Sequence, residues 1–202
     1  PMGGSEYTCV SRSQGAVILP HAGNDAGPRL RRAADILNEQ HLDTLLPDLQ
    51  RPRVQAGARR ADDAGQPARR LLQGLVWLQG RPSTAGRAVG VFAITAAAVT
   101  AIELAARHPE RVAALVACSA SIEPLGAPVL QAVNAPTLLI VGGLDTDLVK
   151  TSRHSLHLLQ CARRLEVIPR TDGRFAAPGS LEAAAHLGAH WLAQHLGRPA
   201  WM

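Results

Sequence analysis

The residues with the strongest chemical pattern lie in the segment 87–98, where an apolar run passes through small residues into an alanine-rich stretch. Its first half predicts a buried strand, and its second half predicts the start of a helix. A strand that enters a helix through a tight turn of small residues can present the central side chain of that turn as a nucleophile. Here the small residues are Ala93 and Ala97, and the central residue is Thr95. Because a working turn of this kind carries Ser or Cys, the β-branched Thr95 decides how the other candidates are interpreted.

The elements that would position Thr95 alternate between strands and helices along most of the chain. Short apolar runs predict strands, and amphipathic stretches predict helices. Strands that alternate regularly with helices are typical of βαβ units, so we expect an α/β fold with a mostly parallel central sheet and helices on both faces. The stretch 119–135 is expected to be irregular. The predicted strands are 15–20, 41–49, 89–92, 112–118, 137–141 and 164–169, and the predicted helices are 28–40, 67–80, 96–107, 148–161 and 181–196.

The domain organisation follows from the length of 202 residues, which fits one domain with a buried core. We expect residues 15–202 to form this domain. Residues 1–14 are expected to be an N-terminal extension or an edge strand, and Pro1-Met2-Gly3-Gly4 resembles a vector-derived remnant. Residues 50–66 are rich in Arg, Asp and Gly and predict a long loop, which is usually functional or mobile.

The composition argues against several classes of protein. Aromatic residues make up 3% of the chain, too few for stacking on single-stranded nucleic acid. The net charge of +5 comes almost entirely from arginines, and we attribute it to coding bias rather than to a nucleic-acid surface. No apolar run approaches the ~20 residues that span a bilayer, and no signal-peptide pattern is present. Three widely spaced cysteines favour a reducing compartment, so we expect a cytoplasmic protein.

Three segments in the second half of the chain carry a family resemblance. They read H-P-E-R-V-A-A-L-V at 108–116, A-P-T-L-L-I-V-G-G-L-D-T at 135–146 and R-R-L-E-V-I-P-R-T-D-G-R-F at 163–175. With the turn at Thr95, they make the chain resemble the dienelactone hydrolase branch of the α/β-hydrolase superfamily from about Gly15 to Leu196. The resemblance implies the α/β-hydrolase fold and the hydrolysis of esters or lactones by a Ser–His–Asp or Cys–His–Asp arrangement, without metal or cofactor.

The resemblance also assigns the catalytic positions, and two of them depart from the family pattern. Asp145 stands at the position of the acid, Thr95 at that of the nucleophile and Gly173 at that of the histidine, in a register set by Phe175. A hydroxyl nucleophile needs a base within hydrogen-bond reach, and Gly173 supplies none. Because a β-branched residue is an outlier in a strained turn, we expect the turn at Thr95 to have relaxed.

The remaining candidates would surround this position. His21 follows the strand predicted at 15–20 and resembles the family's oxyanion turn, and it is also a candidate acid or base, with a plain turn role weighted equally. Asp172, together with Asp145, would form a structural ion-pair cluster with Arg170 and Arg174. Alternatively, it would line a polar pocket for a cationic or hydroxylated ligand or act as a general base in non-hydrolytic chemistry, and we favour the structural role. The predicted oxyanion and ligand-binding residues are His21, Ala22, Asn24, Ile94, Ala96 and Asp172.

The other histidines and the cysteines offer weaker alternatives. His186 and His190 are four residues apart on one face of a predicted helix, which suits a metal pair, a relocated base or a solvated face. We favour the solvated face, because no third ligand has suitable spacing, and therefore predict no metal site. Cys118 ends a predicted strand and is interpreted as a small buried residue rather than as a spare nucleophile.

These observations leave three functional hypotheses open. The leading one is a dienelactone-hydrolase-like protein that has lost Ser–His–Asp hydrolysis and binds a small molecule or a partner in the retained cleft. The second is an active enzyme, either a weak esterase or lactone hydrolase that uses Thr95 or a non-hydrolytic cyclase, isomerase or lyase. The third is a structural subunit. The expected partners are accordingly a small-molecule ligand or substrate, a second copy in a homodimer or another protein, and neither nucleic acid nor a membrane.

Overall fold

The computed structural model describes residues 5–21, 27–49 and 66–197, with the backbone alone for residues 27, 28 and 66. Seven strands form one sheet in the order β1-β3-β2-β4-β5-β6-β7. Every neighbouring pair is parallel except β1 and β3, which are antiparallel at one edge. The strands are β1 Glu6–Thr8, β2 Gly15–Ile18, β3 Leu42–Leu46, β4 Val89–Ile94, β5 Ala114–Cys118, β6 Thr137–Gly142 and β7 Arg163–Ile168.

Helices cover both faces of this sheet, which confirms the predicted α/β architecture. The first and last helices pack together on one face, and the helices between them pack on the other face. The helices are α1 Gly27–Glu39, α2 Gln66–Gln79, α3 Ala96–Arg107, α4 Gly126–Gln131, α5 Thr146–Leu158 and α6 Ser180–Leu196. None of the described helices combines the length and the apolar composition needed to cross a membrane.

The stretch 119–135 is not wholly irregular, so the sequence prediction for it is wrong. It contains a short 3-10 helix at Glu123–Leu125, which runs directly into α4. Two prolines, Pro124 and Pro128, suggested an irregular segment, but both stand in the first turn of a helix. Proline is tolerated there because the backbone N–H groups of a first turn have no intrahelical acceptor.

The central strand β4 is buried on both faces, and this fixes the position of its carboxyl end. Val91 and Ala93 belong to the core on the side of α2 and α3, whereas Phe92 belongs to the core on the side of α1 and α6. The ring of Phe92 lies against Gly188 of α6, where a Cβ atom would stand 2.6 Å from the ring atom Cε2. The absence of a side chain at Gly188 therefore lets α6 approach the sheet closely.

Candidate functional site

Four adjacent strands end at the edge of the sheet where the candidate catalytic residues lie. Thr95 directly follows β4, Ser119 directly follows β5, and Asp145 stands three residues beyond β6. The loop that contains Gly173 follows β7. Neighbouring strands lie about 4.8 Å apart, and ligands of open α/β sheets bind outside these carboxyl ends. The strand order therefore brings Thr95, Asp145 and Gly173 to one edge, as the resemblance implies.

Thr95 keeps a strained backbone, so the expectation of a relaxed turn is wrong. Its dihedral angles are φ 53° and ψ −122°, a conformation that β-branched residues rarely adopt. Its N–H donates to the carbonyl of Cys118 at 2.8 Å, and its own carbonyl accepts from the N–H groups of Ala98 and Val99 at 3.1 and 3.3 Å. The turn is thus held by β5 on one side and by α3 on the other, whatever side chain it carries.

The side chain of Thr95 is exposed at this turn. Its hydroxyl Oγ1 donates to the carbonyl of Ile94 at 2.8 Å, which is a bond within the turn itself. The next residue, Ala96, begins α3, and the first N–H groups of a helix have no intrahelical acceptor. An N–H group in this position can donate to a developing oxyanion. The oxyanion role of Ala96 stays a prediction.

Thr95→Gly is expected to raise the free energy of unfolding by about 1 kcal/mol, because relief of the backbone strain outweighs the greater freedom of glycine in the unfolded chain. Urea denaturation followed by circular dichroism measures the change. The matched control is Thr100→Gly inside α3, which should lower the free energy of unfolding by roughly 0.5 kcal/mol. A destabilised Thr95→Gly protein would contradict the strain seen at this turn.

Asp145 lies beside Gly173, the position at which the resemblance places the histidine. Its Oδ1 accepts from the N–H of Leu148 at 3.1 Å and caps the N-terminus of α5. Its Oδ2 lies 3.1 Å from the point that a Cβ atom at Gly173 would occupy. A side chain at position 173 would therefore begin directly beside Oδ2 of Asp145. This is the relation between acid and histidine in a catalytic triad.

The loop that carries Gly173 is held in place from two sides. A Cβ atom at Gly142 would stand 2.4 Å from the carbonyl oxygens of both Thr171 and Asp172, so the loop crosses the end of β6 at a glycine. The N–H of Leu144 donates to the carbonyl of Thr171 at 3.0 Å. From α1, the guanidinium of Arg29 donates to the carbonyls of residues 174 and 175. These contacts fix the backbone of Gly173 beside Asp145.

Asp172 organises its own loop. Its Oδ1 accepts from the N–H groups of Arg174 and Ala176 at 3.1 and 3.0 Å. This is the turn-forming use of a short carboxylate side chain. The role of Asp172 in contacting a ligand stays a prediction.

His21 extends the sheet beyond β2. Its N–H donates to the carbonyl of Pro47 at 3.0 Å, and its carbonyl accepts from the N–H of Leu49 at 2.7 Å. The backbone of His21 is therefore used in strand pairing, and its side chain is half-buried. The acid–base and oxyanion roles of His21 stay predictions. Ala22 and Asn24, and the predicted loop apart from its last residue, Gln66, lie outside the described residues.

Sequence reasoning missed Ser119, which lies between Thr95 and Asp145 at the same edge. Its side chain is 8% exposed, and its Oγ atom has no hydrogen-bond partner among the described residues. A serine after a strand is common, so the sequence contains no signal that could have found it.

The remaining sequence candidates lie away from this edge or are inert. His186 and His190 are exposed on α6. Within residues 5–21, 27–49 and 66–197, no group of three or more His, Cys, Asp or Glu side chains could hold a metal ion. Cys118 is fully buried, and burial raises the pKa of its thiol far above the usual range, so it is not a thiolate nucleophile.

A cavity of about 650 Å³ opens at the opposite edge of the sheet. Its lining includes Arg87, Val89 and Arg111, which precede or begin strands. The guanidinium of Arg111 is already paired, with Gln79 at 2.8 Å and with Glu110 at 3.3 Å. We place the candidate site at the carboxyl edge, because the candidate residues Thr95, Asp145 and Gly173 lie together there.

Known structures match this fold over nearly the whole chain. The crystal structure of a dienelactone hydrolase from Anabaena variabilis superposes with a TM-score of 0.84 at 32% identity, over 97% of this chain and 95% of that chain. Est1E from Butyrivibrio proteoclasticus superposes with a TM-score of 0.77 at 11% identity, over 96% of this chain and 94% of that one. The second likeness shows the fold alone. No family model matches the chain.

Two Mycobacterium tuberculosis proteins from different strains are similar to this chain in sequence, and each is named as a candidate phosphoribosyl transferase. Each is 30% identical over 194 residues, which is 95% of this chain. The chain spans 44% of their length, so they are more than twice as long.

Proposed function

The chain belongs to the dienelactone hydrolase branch of the α/β-hydrolase superfamily, and from that premise we propose that it has lost Ser–His–Asp hydrolysis and binds a small molecule. The binding site is the cleft at the carboxyl edge of the sheet, around Thr95, Asp145 and Gly173. One observation carries this proposal: Asp145 Oδ2 faces a position at which no side chain is present.

The missing base removes the hydrolytic step. A threonine hydroxyl is almost entirely protonated at neutral pH and must transfer its proton to a neighbouring base before it attacks an ester. The histidine position beside Asp145 offers only the hydrogen atoms of Gly173. The hydroxyl of Thr95 instead donates to the carbonyl of Ile94, an acceptor that cannot serve as a base. Removal of one triad member alone eliminates most of the rate of such a site.

The retained backbone supports binding in the same cleft. Strained residues persist where the surrounding structure determines their conformation, and they cluster at sites that contact ligands. Thr95 has a strained turn conformation, and Asp145 Oδ2 lies beside the position that a side chain at residue 173 would occupy. The carboxyl edge of the sheet thus offers helix N–H donors and a carboxylate at the ends of adjacent strands, which together suit a small polar ligand.

The transferase activity in the names of the two M. tuberculosis proteins is not proposed for this chain. Those proteins are more than twice as long, and the chain spans 44% of each. The positions of Thr95, Asp145 and Gly173 at one edge of the sheet support our interpretation of a hydrolase site with two substituted positions. The proposal therefore rests on these residues.

The chain is expected to resist labelling by a fluorophosphonate probe and to hydrolyse p-nitrophenyl acetate no faster than its Thr95→Ala variant. Both assays report on an activated hydroxyl at position 95, which requires a base. Labelling and turnover that disappear in Thr95→Ala would contradict the proposal and establish the active-enzyme alternative. A small-molecule screen by thermal shift then tests binding, and hits should lose their effect when Gly173→Trp fills the cleft. A complete absence of such hits would favour the structural-subunit hypothesis.

A further inference from the structure

Ser119 directly follows β5 and carries a buried hydroxyl. The residue is 8% exposed, and Oγ has no hydrogen-bond partner among the residues that the structure describes. Its backbone is left-handed, with φ 47°, and its N–H donates to the carbonyl of Ile140 at 2.8 Å. Buried hydroxyls are nearly always paired, because a protein group that leaves water without a new partner destabilises the fold. An unpaired hydroxyl held by its backbone therefore points to a group that binds beside it.

The unpaired hydroxyl lies near the point that a side chain at residue 173 would occupy. A Cβ atom on this glycine would lie 4.0 Å from Ser119 Oγ and 3.1 Å from Asp145 Oδ2. The other carboxylate oxygen of Asp145 is engaged by the N–H of Leu148, which leaves Oδ2 for a ligand. Two side-chain oxygens that follow different strands thus approach the same point beside Gly173, and one of them belongs to a carboxylate.

We propose that this space is a subsite for a cationic nitrogen group of the ligand, such as an imidazolium or a guanidinium. The inference rests on the proposed function, since it names the chemical class of the ligand in the same cleft. The ligand's positive N–H group donates to Asp145 Oδ2, and a second N–H or the ring edge meets Ser119 Oγ. Charge-assisted hydrogen bonds of this kind are shorter and stronger than neutral ones.

Imidazole itself is the probe for this subsite. Titration at about pH 6, where most of the imidazole is protonated, should produce saturable shifts in the amide resonances of Gly173 and Ser119. We expect a dissociation constant on the order of 1–10 mM for a fragment of this size. Tetramethylammonium, which carries the same charge but no N–H donor, should give no saturable shift. Equal shifts from both cations would overturn the proposal.

Three variants separate the subsite from general electrostatics. Asp145→Asn should weaken imidazole binding about 10-fold, as expected for loss of a charge-assisted bond. Asp147→Asn removes an exposed carboxylate from the same helix and should leave binding unchanged. Gly173→His places an imidazole in the space and should abolish saturable binding. Equal affinities in the unchanged chain and in Asp145→Asn would overturn the proposal. Circular dichroism identifies any variant that fails to fold. In that case the comparison of imidazole with tetramethylammonium on the unchanged chain still decides the outcome.

The outcomes distinguish this subsite from the proposed function. Failure to bind imidazole would remove the subsite, yet the absence of fluorophosphonate labelling would still support the loss of hydrolysis. Conversely, labelling at Thr95 would remove the proposed function, while saturable imidazole binding that depends on Asp145 would still establish the subsite.

Discussion

Thr95→Ser/Gly173→His is expected to hydrolyse p-nitrophenyl acetate at least about 10²-fold faster than the unchanged chain. Serine at position 95 keeps the hydroxyl and removes the β-methyl group from a turn whose backbone is already strained. Histidine at position 173 starts beside Asp145 Oδ2, which lies 3.1 Å from the Cβ position and can orient the imidazole. Initial rates measure the gain, and fluorophosphonate labelling at position 95 identifies the nucleophile.

The two single variants are the controls for this gain. Thr95→Ser lacks the base and Gly173→His lacks the better nucleophile, so each should stay close to the rate of the unchanged chain. Triad members act as a unit, and the loss of one costs nearly as much as the loss of all. A double variant that is inert, although its circular dichroism and thermal midpoint match those of the unchanged chain, would mean that more than two side chains separate this site from a working one.

Gly142→Ala is expected to lower the free energy of unfolding by about 1–3 kcal/mol. The added methyl group would stand 2.4 Å from the carbonyl oxygens of Thr171 and Asp172. Both of these atoms belong to the backbone, so the loop as a whole must move away from β6. Urea denaturation followed by circular dichroism measures the loss, and the displaced loop should also weaken imidazole binding beside Gly173.

Gly173→Ala is the matched control for this substitution. Its added methyl group meets the carboxylate of Asp145 at 3.1 Å, and a carboxylate rotates away more easily than two backbone carbonyls. The free energy of unfolding should therefore change by no more than roughly 0.5 kcal/mol. Equal destabilisation by the two alanines would contradict the close approach of the loop to Gly142.

Hydrophobic periodicity predicted most of the elements that build the sheet. The bounds predicted for α3, at Ala96 and Arg107, agree with the structure, because a run of alanines begins at the turn and His108-Pro109 follows the last turn. Elsewhere the ends differ by a few residues, where apolar side chains continue beyond the hydrogen-bonded part of a strand. The prediction failed at α4, because the prolines that normally interrupt helices stand in first turns there.

From the sequence, only those parts of the site that depend on the identity of single residues could be predicted. Asp145 and Gly173 could be assigned to their positions from the segments that resemble the family, with the register of Gly173 set by Phe175, and the structure places the two residues side by side. The strain at Thr95 could not be inferred, because local preference favours a relaxed turn and only the bonds to Cys118 and to α3 prevent it. Ser119 could not be found either, since its burial and its unpaired hydroxyl depend on a loop more than fifty residues later in the chain.

The turn at Thr95 also bears on how such a protein can change over evolutionary time. Its backbone conformation is imposed by the neighbouring strand and helix rather than by the side chain at position 95. Substitutions at this position therefore change the chemistry of the edge without dismantling the framework that holds it. If hydrolysis is lost as we propose, a lineage with this framework keeps a short mutational route back to catalysis, and an equally short one to a new ligand.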